Sequence, residues 1–221
     1  MRQLKTYSDN HIYWWKNDKR TFGKHRLCII DIVLIEVGVS MTIKKAKKGR
    51  VEPSAALCGA LQDVLDLLVI MDSTQYQENK MHGFPSSIGA HTRHCIDHVD
   101  ALLLGLDEGQ VRYDRRERGT QIEQERDFAI RTIEDRQAQI VEMPADMFQC
   151  DVEVAALVTS DSEEQIFSSS GERETLYVFH HTVHHLALMV AQAAQMHIKV
   201  DKTIGRAPAT IAADIDHKCA R

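Results

Sequence analysis

Four prolines and eleven glycines in 221 residues leave this chain few places to turn. That scarcity disfavours a sandwich or barrel of many short strands and suits long helices. The five cysteines (Cys28, Cys58, Cys95, Cys150 and Cys219) are scattered, odd in number and without a C-x-x-C pair. A disulfide framework or a zinc ribbon is therefore disfavoured, and a reducing cytoplasm is the expected setting. The longest apolar run, LCIIDIVLIEVGV (27–39), is too short to span a bilayer and is broken by Asp31 and Glu36. It also lies too far from Met1, behind too many charges, to act as a secretory signal. Positive charge is not in excess: the formal net charge is −5, which argues against a nucleic-acid binder. What remains is a soluble protein with enough chain for one well-cored domain.

Residues 1–40 differ from the rest. They hold both tryptophans and a β-branched run (Ile29, Ile30, Ile32, Val33, Ile35, Val37) with no neighbouring strand to pair with. They read as a leader, either a poorly ordered extension or an upstream start choice, the plainer alternative being a strand or short helix that covers one end of the domain. The functional domain is expected over 41–221. After Pro53 the pattern becomes helical. A first helix is expected from Ser54 to about Asn79, with Leu57, Leu61, Val64, Leu65, Leu68 and Met71 on one stripe. A second follows from Ser86 or Ser87 to about Leu106, and a third from Thr120, in a capping box with Glu123, to about Glu142. Residues 107–120 read as a charged connection. QCDVEVAALVTS and QIFSSS flank DSEE and suggest a short hairpin or irregular insertion, and a fourth helix spans about 171–197. The expected fold class is all-α: a four-helix bundle with an insertion between helices 3 and 4.

What the chain has in abundance is histidine in two places. Seven of its twelve histidines fall in SIGAHTRHCIDHVDALL (87–103) and RETLYVFHHTVHHLALM (173–189). Residues four apart share a helix face, so His180/His184 and His181/His185 are two overlapping pairs, each able to offer two imidazoles to one ion. In the other segment His91, His94 and His98 lie on a single stripe. A third nitrogen from that helix would complete a three-histidine site with a coordination position left open. An H-x-x-x-H pair by itself more often marks a polar face. Two clusters on helices that a bundle brings together favour a metal. Periodicity does not choose among the histidines; it leans toward His180 and His184, nearer the Leu176/Val183/Ala187/Val190 stripe. Cys95 turns toward the apolar face and reads as a buried structural thiol.

The segments S-I-G-A-H-T-R-H-C-I-D-H (87–98), V-R-Y-D-R-R-E-R-G-T (111–120), R-E-T-L-Y-V-F-H-H-T-V-H-H-L-A-L (173–188) and I-G-R-A-P-A-T (204–210), in this order, resemble the DinB/YfiT-like superfamily of metal-binding four-helix bundles. The likeness runs from about Met41 to Ile215. It implies one ligand on the second helix and an H-x-x-h-H pair on the last, which fall on His94 and on His181 and His185. His98 and His91 stand as alternatives for the helix 2 ligand. It further implies that Arg115 or Arg116 lies near the pocket and receives an anionic group. The plainer reading, local ion pairs at the start of the third helix, is favoured for that cluster.

Three neutral imidazoles leave a divalent ion its full charge, so a water or thiol held there loses its proton readily. The resemblance implies either hydrolysis or transfer of a low-molecular-weight thiol onto an electrophile. The alternative is a metal- or small-ligand-binding bundle without turnover. Zinc is the first expectation for the metal, with nickel, iron or copper also compatible with three histidines. The expected partners are a small-molecule substrate or thiol and a second copy in a homodimer, with neither nucleic acid nor membrane. Glu174 could approach the site, but its spacing alone assigns it no role.

Overall fold

The computed structural model describes residues 51–79, 83, 86–114 and 119–219. The leader 1–40 and the arginines Arg115 and Arg116 lie outside the described residues, as does the start of the expected domain. The described chain is mostly helical, with one small sheet. Four long helices carry it: α1 (Pro53–Val69), α3 (Ile88–Glu108), α5 (Arg126–Glu142) and α6 (Gly171–Gln195). Short helices α2 (Ser73–Gln77) and α4 (Gln121–Gln124) precede α3 and α5, and α7 (Pro208–Cys219) follows α6. Helix α1 packs on α5 and α6, and α3 packs on the same two.

The ends of the helices follow from local chemistry. Pro53 occupies the first turn of α1, where its missing N–H is not needed. The expected continuation to Asn79 fails at Ile70–Asp72, because Asp72 and Gln75 form a reciprocal capping box that starts α2 afresh. Ser87 caps α3 through Ala90 N at 3.1 Å. Gly109, at φ 78°, ends it in the left-handed conformation that glycine takes at least cost. Thr120 does precede α4, but its hydroxyl makes no capping bond, and Glu123 is drawn instead to the Arg93 guanidinium at 3.0 Å. The third helix is therefore broken at Glu125, and only Arg126–Glu142 is long.

The all-α expectation needs correcting, since three strands form a sheet in the order β1-β2-β3. The hairpin β2 (Asp151–Ala156) and β3 (Gln165–Ser170) lies where the insertion was expected. The two-residue β1 (Gln110–Val111) pairs parallel with β2, Gln110 opposite Glu153 and Val111 opposite Val154. A parallel pair needs a long crossover, and α4 and α5 supply it. The sheet edge is tied down on both sides of Tyr113: Arg112 pairs with Glu164 of the hairpin, and Asp114 Oδ2 accepts from Leu157 N at 2.9 Å.

The core runs between the helices. Leu57, Leu61, Val64 and Leu68 of α1 meet Ile96, Val99 and Leu102 of α3 and Val178, Leu186 and Met189 of α6 in one buried cluster. The buried face of α6 is not the expected stripe. Leu176 and Ala187 are exposed, whereas Thr175, Val178, Thr182, Leu186 and Met189 are buried. Thr175 manages this by bonding back to its own helix, donating to Gly171 O at 2.7 Å, as Thr92 of α3 does to Ile88 O at 2.9 Å. The Thr182 hydroxyl has no such partner among the described residues. No helix among the described residues is long and apolar enough to cross a membrane.

Candidate metal centre

Helices α3 and α6 pack side by side and bring their histidines face to face. His94 and His181 approach until their Nε2 atoms are 2.9 Å apart. His98, 4% exposed, lies beside both, its ring 4.0 Å from that of His181 and nearly parallel, 4.4 Å from that of His94. One ligand nitrogen from each of His94, His98 and His181 can be chosen so that all three lie within 4.8 Å of one another. Nitrogens of a tetrahedral zinc site with bonds of about 2.0–2.1 Å are separated by about 3.3 Å, so the group fits a single ion.

The expected ligand His185 stands at the edge of this group. Its ring is 4.5 Å from His94 and 4.6 Å from His181, and its Nδ1 is 3.1 Å from Nδ1 of His91. Five histidines therefore share the α3–α6 seam. His180 and His184, toward which periodicity leaned, are both exposed. The lean followed an apolar stripe of which Leu176 and Ala187 are exposed and only Val183 and Val190 pack, partly buried, against the core. Cys95 is buried, and desolvation pushes its thiol up to about 12, so it is a protonated packing residue.

The arrangement has a defined polarity. His98 sets its Nδ1 2.9 Å from the His94 carbonyl, which holds the proton on that nitrogen and leaves Nε2 to ligate. Burial pulls His185 down to about 3, helped by the charges of His181, His91, His184 and His98, so its imidazole is neutral. Burial also lowers His91, with His184 adding to it. Neutral imidazole is the form that binds metal.

Two tyrosines frame the cluster, and the sequence reading gave neither this role. Tyr177 lies one turn before His181 with its ring 5.7 Å away and close to parallel. Its spacing of four from His181 is the usable sequence signal. Tyr113, just after β1, stacks on His98 at 5.1 Å and 13°. Its hydroxyl donates to Glu174 Oε2 at 2.9 Å, and burial together with that carboxylate raises the phenol far above its ordinary value. Glu174 is 1% exposed and also accepts from Ser169 Oγ at 2.5 Å and Arg173 at 2.9 Å.

Comparison of the chain with family models, with curated proteins and with solved structures finds no match. The functional reading therefore rests on this geometry.

Proposed function

We propose that this chain is a divalent-metal protein of the DinB/YfiT-like four-helix-bundle type, and that it works as a metal-dependent hydrolase or low-molecular-weight-thiol transferase. The observation that carries the reading is the convergence of His94, His98 and His181 from two helices, with ligand nitrogens within 4.8 Å of one another. We take these three as the ligands and zinc as the metal. The resemblance pointed to His185 in place of His98; here it lines the site beside them.

When bound, a divalent ion held by three neutral imidazoles supplies Lewis acidity to a water or thiol in a remaining position. The protein's part is orientation and shielding. His98 is aimed by the His94 carbonyl and by Tyr113. Tyr177 covers the neighbouring face of His181. One observation favours binding without turnover: both oxygens of Glu174 are engaged by Tyr113, Ser169 and Arg173, so it is not a ready base.

The test is elemental analysis of the purified protein, then assay of the zinc-loaded protein with thiol–electrophile pairs and simple esters. One metal ion per chain and turnover abolished by chelation and restored by zinc are expected. Protein that retains no metal after incubation with zinc, nickel, iron(II) or copper would end the reading. Stoichiometric metal without turnover would leave the binding role.

A further inference from the structure

Glu174 is costly where it stands. A carboxylate at 1% exposure gives up its hydration, and an apolar residue at such a position is commonly as stable or more so. It sits on the buried face of α6 beside Thr175 and Val178, where a leucine would serve packing alone. Three donors from three separate segments converge on it instead: Tyr113 after β1, Ser169 at the end of β3 and Arg173 on α6. Arg173 reaches the histidines only at one remove, its guanidinium 5.5 Å over the Tyr177 ring that lies against His181, whereas Tyr113 meets His98 directly. The Tyr113 ring lies flat against His98, and His98 in turn lies against His181 at 4.0 Å and 20°.

An imidazole with its Nδ1 on a carbonyl can still swing about that contact unless its face is held. For His98, Tyr113 supplies the hold, and Tyr113 is a loop residue whose hydroxyl is anchored by Glu174. We infer that Glu174 is a positioning residue for the metal site, fixing through Tyr113 the direction in which His98 Nε2 points. The sheet then has a use in the site, since β1 delivers Tyr113 and β3 delivers Ser169. The chain of contacts is carboxylate, phenol and imidazole, so the supporting carboxylate sits one residue further from the ligand than in the usual carboxylate–histidine pair.

The inference rests on the metal reading proposed above, and the two can fail separately. Zinc affinity of the full chain is measured by chelator competition for the wild type, Glu174→Gln and Tyr113→Phe, with the cobalt(II) absorption spectrum recorded for each. Both variants are expected to bind zinc about 10-fold to 100-fold more weakly, the range typical for loss of a supporting partner. Their cobalt(II) visible bands should shift in position and intensity, because the ligand geometry has changed. A role confined to holding the sheet would lower the melting temperature of the metal-free protein and leave affinity and spectrum at wild-type values; that result overturns the inference. If Glu174→Gln does not fold, Tyr113→Phe decides, since it keeps the ring and removes only the anchored hydroxyl. A wild type that binds neither zinc nor cobalt refutes the metal reading itself, and this inference with it.

Discussion

Replacing His98 and His185 by alanine, one at a time, separates a ligand from a neighbour. Four-ligand structural zinc sites bind with about 10–16 kcal/mol, or about 2.5–4 kcal/mol for each ligand. Loss of one of three ligands should therefore weaken zinc binding by roughly 10²–10³-fold. His98 belongs to the group whose nitrogens converge within 4.8 Å, and its Nδ1 is already committed to the His94 carbonyl. His98→Ala should show the full loss, as should His94→Ala and His181→Ala. His185 makes its closest ring-nitrogen approach, 3.1 Å, to His91. His185→Ala should cost less than about tenfold, below the roughly 10–100-fold of a lost supporting partner. Chelator competition gives the affinities, metal content after desalting gives the stoichiometry, and circular dichroism excludes unfolding. If His98→Ala keeps wild-type affinity while His185→Ala loses two powers of ten, the ligand set is His94, His181 and His185 and the geometric choice is refuted.

Other perturbations probe the frame. His185, at about 3, and His91, also lowered, are held below their ordinary value mainly by burial. Between about pH 6.5 and pH 3 the unfolded chain therefore binds protons that the folded chain refuses, so the stability of the metal-free protein should fall as pH drops through that window and level off below it. Urea midpoints across the window should fall less steeply for His185→Gln, and equal slopes would contradict the assignment. A Cβ on Gly105 would stand 2.5 Å from Val111 Cγ2 and 2.8 Å from its Cα, so Gly105→Ala must push β1 away from α3. The expected cost is roughly 1–3 kcal/mol, read as a lower melting temperature, and an unchanged one would deny the close approach. Thr182 Oγ1 is buried without a hydrogen-bond partner among the described residues, so Thr182→Val should stabilise by about 1 kcal/mol. Thr175→Val, which breaks a 2.7 Å bond to Gly171 O, should not, and equal effects would show that the hydroxyl's partner does not matter.

Where burial and hydrophobicity coincide, the sequence pattern was legible. The apolar residues expected along the first helix, Leu57, Leu61, Val64, Leu65, Leu68 and Met71, are all buried. On α3 Ile88, Cys95, Ile96, Val99, Leu102 and Leu106 are buried and Leu103 is half-buried. On α6 the two part company. Its inward face contains Glu174, Thr175, Thr182 and Gln192, while Leu176 is 43% exposed, so a reading of apolar residues turned the helix the wrong way. The histidine positions along α3 and α6 could be read as one seam, but the facing of the rings depends on that helix rotation. Strand β1 had no signal of its own, because two residues show no alternation, and Val111 is defined as strand only by its partner Val154. Tyr113 stood in a noticed motif, yet its stacking on His98 follows from where the parallel pairing sets the loop down.

The closest pair in the histidine cluster, His94 and His181, is separated by 87 positions in the chain. At about 5–20 residues per second, a ribosome takes roughly 4–17 s to travel between them. Throughout that interval the histidines of α3 exist without the helix that completes their site. An ion met then finds two imidazoles at most, one turn apart on an unpartnered helix. On the proposed metal reading, loading would belong to the finished chain rather than to the growing one. Each molecule would then have to hold together by its core and its sheet before an ion could add its own binding energy to the fold.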